Sequence, residues 1–314
     1  MTQAIPASSA PRLAIGTRGS PLALWQAHAV RDALAAAFGR APDTIAVEVI
    51  RTSGDRIQDR ALSEAGGKGL FTKEIEEALL EGRIDLAVHS AKDVATMLPD
   101  GLHLAGYLPR ADVRDALILR EGASLADLPS GARVGTASLR REAQLRRLRP
   151  DLDVALLRGN VQTRLSKVRG GEFHGTLLAL AGLTRLGLAH EASAILPLDD
   201  FLPAVGQGAV AIECRIADPA TNDAIARIAC RATGIALAAE RAFLAALDGS
   251  CRTPIAGLAT VEGDQVRLRG LVLSPDGRDA AEADATAPVA DAARLGAESG
   301  ARLRGSAPAR ALGL

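Results

Sequence analysis

The stretch that decides the fold is Arg133–Arg169, RVGTASLRREAQLRRLRPDLDVALLRGNVQTRLSKVR. It contains ten lysine and arginine residues against three acidic ones, a local charge of +7, while the net charge of the whole chain is zero. Nine of the ten are arginines, whose planar guanidinium groups bind carboxylate or phosphate through paired hydrogen bonds. A basic region in a neutral protein indicates a specific anionic ligand.

Twice in this stretch an apolar run leads through a turn into a helix. Strands are predicted over Arg133–Gly135 and Val154–Leu157, and the helices that follow them are predicted to begin at Leu139 and Val161. Strands that alternate with helices are typical of α/β domains. We therefore expect this stretch to lie inside such a domain.

The starts of the two helices are where an anion would bind. Ser138 and Asn160 suit the N-cap position, and free backbone N–H groups there, together with the helix dipole, attract negative charge. Four arginines lie in or beside the first turns and are interpreted as ligand-binding: Arg140, Arg141, Arg158 and Arg164. The alternative, solvated arginines on helix faces, better suits four others: Arg146, Arg147, Arg149 and Arg169.

The composition excludes several classes of protein. With 314 residues, 48% of them apolar, the chain is globular and long enough for two or three domains. Aromatic residues make up only 2% of the chain, which argues against binding of single-stranded nucleic acid, because such proteins stack bases on aromatic rings. The sequence has no run of 18 apolar residues, so we expect no membrane span.

The first residues and the cysteines indicate the compartment. The start, MTQAIPASSAPR, lacks the apolar core of a secretory signal. The three cysteines are far apart and odd in number, so they predict neither a disulfide framework nor a metal site, and the five histidines form no HxxxH pair. These features favour a reducing, cytoplasmic location and no metal.

A third strand–turn–helix unit opens the chain. A strand is predicted over Arg12–Ile15, and Ser20–Pro21 then supplies an N-cap and a proline at the first helical position. Arg18 and Ser20 therefore stand at the same kind of turn as the arginines of the basic stretch. Ser20 is interpreted as a helix cap, a ligand contact or both.

A fourth turn carries an acidic residue. The strand predicted over Ile84–Val88 runs into His89–Asp93, and the carboxyl end of a strand is where open α/β sheets bind ligands. Lys92 and Asp93 could form an ordinary exposed pair. An isolated carboxylate among so many cations would instead suit a reaction that needs a proton donor or passes through a cation.

A polar segment of unusual length, Arg51–Lys68, is interpreted as a functional lid. It ends near GGKG, but a phosphate-binding P-loop requires serine or threonine after the lysine, where this chain has Gly69. Nucleotide binding is therefore rejected. A helix is predicted to follow over Phe71–Leu80, closed by Gly82.

The three cysteines differ in their predicted surroundings. Cys214 ends an apolar strand and Cys230 falls in a predicted helix, so both are interpreted as core residues. Cys251 lies in a turn of small residues beside Arg252, and a nearby cation favours the thiolate. From the spacing alone, Cys251 is either a reactive thiol or a buried structural cysteine.

The rest of the chain completes two α/β units and adds a smaller one. The second unit begins at Leu117–Leu119 and includes a strand over Thr176–Leu180, with Arg185 near its end. A turn-rich crossover over residues 202–208 leads into the strand Ala209–Glu213. Beyond it, an alanine-rich helix and two alternating segments with turn signals predict an α+β unit.

Eight segments now carry a resemblance to a known family. In chain order they are GTRGSPLALWQAH (16–28), GGKGLFTKE (66–74), DLAVHSAKDV (85–94), VGTASLRR (134–141), LRGNVQTRLSK (157–167), AGLTRLGL (181–188), LPAVGQGAVAIECR (202–215) and GSCRTPI (249–255). Together they resemble the porphobilinogen deaminase, or hydroxymethylbilane synthase, family over about residues 12–258. Each motif alone is weak, and it is their common order that identifies the family.

The resemblance implies a fold of three domains. The first two resemble type II periplasmic binding proteins and are joined by hinge crossovers, and the third is a small α+β domain that carries a cysteine loop. On this basis residues 1–108 with 205–226 form domain 1, residues 109–204 form domain 2 with an arginine-rich cleft face, and residues 227–314 form domain 3.

The resemblance also implies an activity and a cofactor. The family are transferases of tetrapyrrole and haem biosynthesis that condense four porphobilinogens head to tail, release ammonia and yield hydroxymethylbilane. The growing chain is tethered to a dipyrromethane cofactor, itself linked to a cysteine by a thioether. Porphobilinogen is then the substrate, with no nucleic-acid or membrane partner, and the enzyme is expected to be a monomer.

Particular residues match the family's functional positions. Cys251 matches the cofactor-bearing cysteine and Asp93 the catalytic aspartate. Six residues match those that bind the cofactor: Lys92, Ser138, Arg140, Arg141, Arg164 and Arg185. Three match substrate-binding positions, Arg18, Ser20 and Arg158, and two match the lid, Lys68 and Phe71.

Some positions depart from the family pattern. Ala91, Ala95 and Ala137 replace residues that are usually methionine, proline and serine, Ser250 replaces glycine or alanine, and Glu64 stands where the lid is often basic. None of these changes removes a catalytic group, although the loss of a hydroxyl at Ala137 weakens an expected ligand contact.

Two alternative functions remain to be weighed. A cytoplasmic polycarboxylate-binding protein of the same fold would need neither Cys251 nor Asp93. An RNA-binding protein would use the arginine-rich stretch, but the scarcity of aromatic residues argues against it.

Overall fold

The computed structural model describes residues 13–56, 72–249 and 253–314. Five residues singled out above for a role or for a departure from the family pattern lie outside the described residues, as does most of the predicted lid: Glu64, Lys68, Phe71, Ser250 and Cys251. The predictions made for them are therefore carried forward without a structural account.

The strands of the described residues are short and fall into three sheets. They are β1 Ala14–Thr17, β2 Ala46–Val49, β3 Leu86–Ser90, β4 Leu102–Tyr107, β5 Asp115–Leu119, β6 Arg133–Thr136, β7 Asp153–Leu156, β8 Gly175–Ala179, β9 Ala194–Ile195, β10 Val210–Arg215, β11 Ile255–Glu262, β12 Gln265–Leu273 and β13 Ala280–Pro288.

The helices alternate with these strands over most of the chain. They are α1 Pro21–Ala37, α2 Ser53–Arg56, α3 Lys73–Leu80, α4 Leu139–Leu148, α5 Val161–Arg169, α6 Leu180–Arg185, α7 Pro219–Ala226, α8 Arg231–Ala246, α9 Ala292–Arg304 and α10 Ala307–Ala311.

The first sheet has the order β2-β1-β3-β10-β4. Strand β1 is parallel to both β2 and β3, whereas β10 is antiparallel to β3 and to β4. Helix α1 packs against this sheet and buries Ala27, Val30 and Leu34 with Ile15 and Leu86. Burial of these apolar faces holds α1 across the sheet.

The second sheet repeats the plan of the first, with the order β7-β6-β8-β5-β9. Strand β6 is parallel to β7 and β8, and β5 runs antiparallel to β8 and pairs on its other side with β9. Leu145 of α4 packs with Leu117, Val134 and Leu177 of the sheet, all fully buried. The basic stretch thus supplies two strands and two helices to one α/β unit, as predicted.

Two segments cross between the sheets. Residues 108–114 lead from β4 to β5, and residues 196–209 lead back from β9 to β10. Strand β10, although late in the chain, therefore completes the first sheet, which confirms the crossover predicted over residues 202–208. These two segments are the covalent links between the first and second sheets.

The third sheet is an antiparallel meander, β11-β12-β13, covered by α8 and α9. The two helices approach very closely, because a Cβ atom at Gly296 would lie 2.0 Å from the Ala239 carbonyl oxygen. Glycine is required there for the helices to touch. Phe243 of α8 is fully buried against the sheet.

Two predictions about this part of the chain were incomplete or wrong. Only the first two strands of the meander were predicted, and β13 was missed. Cys230 does not lie within a helix or the core: it is the N-cap of α8 and partly exposed, whereas Cys214 is buried in β10 as predicted.

Candidate active site

The carboxyl ends of β1 and β3 place four of the predicted residues at one edge of the first sheet. Arg18 and Ser20 follow β1, and Lys92 and Asp93 follow β3. Since these two strands are adjacent and parallel, both turns open toward the same side. Ser20 caps α1 as predicted, accepting a hydrogen bond from the Ala23 backbone nitrogen at 3.2 Å.

The turn that carries Lys92 and Asp93 is fixed by its surroundings. Residues Ala91–Asp93 form one turn of 3-10 helix, and the Ala91 backbone nitrogen donates to the carbonyl of Ala209 at 3.0 Å. A Cβ atom at Gly206, whose φ is +76°, would lie 2.9 Å from the Lys92 backbone nitrogen. Only glycine fits at this position.

Helix α8 also contacts the chain next to this turn. Arg241 of α8 donates to the Ala95 carbonyl at 2.7 Å and to the Thr96 carbonyl at 3.2 Å, immediately after the turn. At the start of the turn, the buried Gln26 of α1 donates to the Ser90 hydroxyl at 2.9 Å. The backbone around Asp93 is thereby held by two helices.

The second sheet presents its own carboxyl edge through the turns after β6, β7 and β8. Ser138 accepts from the Arg141 backbone nitrogen at 3.4 Å and caps α4, and Asn160 accepts from Thr163 at 2.9 Å and caps α5. Both predicted helix starts are confirmed. Arg158 follows β7, so it lies at the same edge.

Arg140 and Arg141 are far more buried than solvated arginines would be, at 3% and 5% exposure. Both pair with Asp115, which is fully buried: Arg141 reaches Oδ1 at 2.7 Å, and Arg140 reaches Oδ2 at 2.8 Å. The two guanidiniums hold the pKa of Asp115 well below its usual range, although burial acts in the opposite direction. Arg140 also donates to the carbonyl of Leu202 in the second crossing segment.

Arg164 brings the two edges together. Burial, together with the nearby positive charges of Arg141 and Arg158, lowers its pKa to about 10, while the carboxylate of Asp93 opposes the shift. The charges of Arg141 and Arg158 in the second lobe and of Asp93 in the first therefore all act on Arg164. The Nε of Arg164 donates to the Gly159 carbonyl at 2.9 Å.

The charges of Arg141 and Asp93 also act on Lys92. Burial and the positive charge of Arg141 lower the pKa of Lys92 to about 8, whereas Asp93 and Asp115 act to raise it. Its Nζ donates to the Gln207 side-chain oxygen at 3.4 Å.

Arg185 contacts the second crossing segment and helix α1. It donates to the carbonyl of Gly208 at 2.7 Å, and its guanidinium stacks over the ring of Trp25 in α1, 5.4 Å from the centroid. Burial lowers the pKa of Arg185. Arg185 therefore adds a cation where the second crossing segment and α1 come together. In this structure its guanidinium is engaged by the Gly208 carbonyl and the Trp25 ring.

Sequence reasoning missed three residues that shape this cleft, Asp115, Gln207 and Arg241. Their partners are distant in the chain, so no local pattern indicates them. One alternative interpretation is also corrected: Arg149 is not a solvated arginine, because it donates to the carbonyls of Leu125 and Leu128 and pairs with Asp151.

The cleft as described suits a ligand with several carboxylates. Cations from both sheets converge on it, and the buried Nε of Arg140 has no hydrogen-bond partner among the residues that the structure describes. A buried donor of this kind is costly unless a ligand completes it. Within the same residues, no helix is both long and apolar enough to cross a membrane.

Two sheets of one plan with a shared cationic edge define a two-lobed α/β protein that binds an anionic ligand. Its family follows from comparison with known proteins. Residues 13–223 match the family model described as porphobilinogen deaminase, dipyromethane cofactor binding domain, and residues 235–305 match the porphobilinogen deaminase C-terminal domain. The chain belongs to the porphobilinogen deaminase family.

Individual relatives agree with this assignment. The chain is 61% identical over 290 residues to porphobilinogen deaminase of Nitrobacter winogradskyi and 60% identical over 290 residues to that of Nitrobacter hamburgensis, with 92% of each chain covered. Among solved structures, it is similar to a periplasmic substrate-binding protein of an ABC transporter from Coxiella burnetii, with 13% identity, a TM-score of 0.43, and coverage of 70% of this chain and 93% of that one.

Membership of the family confirms four expectations drawn from the sequence. The chain is a transferase of tetrapyrrole biosynthesis, it is an enzyme, its cofactor is dipyrromethane, and its fold is α/β with a small C-terminal α+β part. The alternative of a non-catalytic polycarboxylate-binding protein is not favoured.

Proposed function

We propose that the shared cationic edge of the two sheets is the active site, where porphobilinogens are condensed head to tail with loss of ammonia. Asp93 is the catalytic carboxylate and Cys251 carries the cofactor. The observation that supports this most directly is the buried cluster of Arg140, Arg141 and Asp115, which Gln207 joins to Lys92, the chain neighbour of Asp93.

The charges of the cleft match the chemistry of the substrate. Each porphobilinogen carries an acetate and a propionate, and each joining step releases its amine as ammonia. Guanidinium groups bind such carboxylates in a bidentate manner. Asp93 can protonate the leaving amine and then stabilise the cation left on the pyrrole, so a second acid is not needed.

The residues proposed to hold the cofactor fit a dipyrromethane, since its carboxylate side chains need several donors. Lys92, Ser138, Arg140, Arg141, Arg164 and Arg185 supply them, and the unpaired Nε of Arg140 is a buried donor that such a carboxylate would complete. When bound, the cofactor supplies the pyrrole carbon to which the first substrate is joined. Arg18, Ser20 and Arg158 are proposed to bind the incoming substrate, and Lys68 and Phe71 to belong to the lid.

We further propose three domains, residues 1–108 with 205–226, 109–204 and 227–314. Each would contain one of the three sheets, and the two crossing segments would serve as hinges. We also propose that the enzyme is a cytoplasmic monomer. Cys214 and Cys230 are free thiols, which suits a reducing compartment, and light scattering of the purified chain would test the monomer.

Intact-protein mass spectrometry tests the proposed function. The wild-type chain is expected to carry a mass excess equal to dipyrromethane and to gain mass in one-pyrrole steps when porphobilinogen is added. Cys251→Ser is expected to show the bare polypeptide mass, and Cys230→Ser, the matched control, to behave like wild type. A wild-type mass that never exceeds the polypeptide, even after long incubation with substrate and reductant, would contradict the proposal.

A further inference from the structure

A buried carboxylate outside the proposed substrate contacts organises the cationic edge. Asp115 is the first residue of β5, directly after the first crossing segment, and is fully buried. Its Oδ1 accepts from Nε and Nη2 of Arg141 at 3.1 and 2.7 Å and from Nε2 of Gln207 at 3.0 Å. Its Oδ2 lies 2.8 Å from Nη2 of Arg140.

We propose that Asp115 is a positioning residue for the reaction, which holds the guanidiniums of Arg140 and Arg141 in the orientation that receives ligand carboxylates. The inference rests on the proposed function, because it takes these two arginines to bind the cofactor. Asp115 itself touches neither cofactor nor substrate and acts through its two partners.

The balance of charge supports this role over a purely structural one. A single carboxylate here faces two guanidiniums, so the three side chains together carry a net charge of +1. Each arginine has a further anchor that sets its direction, the Leu202 carbonyl for Arg140 and the Leu177 carbonyl for Arg141. The excess charge and the unpaired Nε of Arg140 remain for a ligand.

The same carboxylate is linked to the catalytic turn of the other sheet. Gln207 bridges Asp115 to Lys92, since its Nε2 donates to the carboxylate while its Oε1 accepts from the Lys92 Nζ at 3.4 Å. The backbone of Gln207 is held in turn by Arg110, whose Nε donates to its carbonyl at 2.9 Å. Asp115 also opposes the fall in the pKa of Lys92 that burial and Arg141 produce.

The direct test compares Asp115→Asn with Asp112→Asn. Asp112 lies three residues away and pairs with Arg114 at the surface, so it is a matched control for charge and location. Asp115→Asn is expected to lower the fraction of purified chain that carries cofactor, by intact mass. In the loaded fraction it should raise KM for porphobilinogen about tenfold, with kcat changed less than about threefold. Unchanged loading and KM would overturn the inference.

A double-mutant cycle shows whether Asp115 acts through its partner. If it positions Arg141, Asp115→Asn will have a smaller effect on loading and KM once Arg141→Leu is present than it has in the wild type, and the effect that remains will be its action through Arg140. If Asp115→Asn instead causes a general loss of structure, it will impair loading and KM equally in the wild type and in Arg141→Leu. Such additive effects would overturn the inference.

A second variant keeps the test valid if Asp115→Asn fails to fold. Asp115→Asn combined with Arg140→Gln removes one charge of each sign and leaves the local net charge unchanged. Its loading and KM are compared with those of Arg140→Gln alone, and equal values would refute a positioning role.

The cycle also separates this inference from the proposed function. If Arg141→Leu alone leaves loading and KM unchanged, the assignment of that arginine to the ligand is wrong, and the inference falls with it. If Arg141→Leu impairs both and Asp115→Asn impairs neither, the proposed site stands and only the role of Asp115 is rejected.

Discussion

The two five-stranded sheets share one plan, but their carboxyl edges differ: the first carries a carboxylate, Asp93, beside Arg18 and Lys92, whereas the second carries arginines. Each has three parallel strands followed by two antiparallel ones, and each ends its parallel strands in turns that lead to helices. At the edge of the first sheet stands the carboxylate of Asp93. At the edge of the second stand Arg140, Arg141, Arg158 and Arg164, and the buried carboxylate of Asp115 pairs with the first two.

The difference shows how one backbone plan can serve two purposes. Turns at the carboxyl ends of parallel strands are free to carry any polar side chain, because the sheet itself is stabilised by the apolar faces behind them. In the proposed function, the first sheet uses this freedom for chemistry, and the second uses it to hold carboxylates. A contact between the two edges is then required for both purposes to meet on one substrate.

The largest expected effect comes from removing the carboxylate of the first sheet. Asp93→Asn is expected to retain the fold and the cofactor but to lower kcat by a factor of about 10²–10⁴, because general acid–base catalysis contributes that much. Asp100→Asn is the control, since Asp100 is exposed shortly after the same turn. Steady-state rates of ammonia release measure both variants, and near-normal turnover in Asp93→Asn would remove the distinction between the two edges.

The next effect concerns the arginines of the second sheet. Arg141→Leu leaves Asp115 with one guanidinium, and breaking a buried ion pair costs about 3–5 kcal/mol in general; because Arg140 remains as a partner, a loss near the lower end is expected. Arg146→Leu is the control, since Arg146 pairs with Glu142 on the surface of the same helix, a contact that contributes about 0.5 kcal/mol.

Urea unfolding measures the stability of both arginine variants, and intact mass measures their cofactor. Arg141→Leu is expected to lose cofactor as well as stability, whereas Arg146→Leu keeps both. Equal stability and equal cofactor loading in the two variants would show that the burial of Arg141 has no bearing on ligand binding.

A smaller effect is expected when a change of pH removes the charge of Lys92, a cation at the edge of the first sheet. Its pKa falls from the ordinary 10.5 to about 8, so the ammonium is charged below pH 8 and loses its charge as the pH rises through that value. Binding that needs the charge should weaken above pH 8, seen as a fall in kcat/KM. In Lys92→Arg the guanidinium stays charged, so the fall should move to higher pH; an unchanged profile would show that another group titrates.

The same shift predicts the direction of a change in stability. Because the folded pKa of Lys92 lies below the unfolded one, burial of the charged form penalises the folded state fully below pH 8. The penalty disappears as the pH rises from about 8 to 10.5, so this lysine makes the folded state more stable over that range. Unfolding of wild type and Lys92→Met across the range would measure it.

What the sequence predicted was local. Ser20, Ser138 and Asn160 cap the helices that they were expected to begin, because a cap and its helix lie within a few residues of each other. The polar residues of the turns after β1, β3, β6 and β7 could likewise be placed at strand ends, since strand and turn signals are adjacent in the chain.

What the sequence did not predict depends on distant pairing. Asp115 is 26 residues from Arg141 and lies in a strand whose place beside β8 is set by the register of the sheet. Strand β13, AAEADATAP, was missed because alanine and acidic residues have low strand propensity. It is a strand because it pairs along β12 over its whole length.

The smallest effect concerns a contact between a helix of the first lobe and a helix of the second. Arg185 of α6 lies over Trp25 of α1, and Trp25 is the single tryptophan of the chain. Arg185→Met removes a cation–π contact that contributes about 0.5–2 kcal/mol, while Arg169→Met, on an exposed helix face, is the control. The emission of Trp25 should change in Arg185→Met and not in the control. Porphobilinogen should shift the wild-type emission if ligand draws Arg185 away from the ring, and an emission indifferent to both would show that the two sheets do not communicate through this pair.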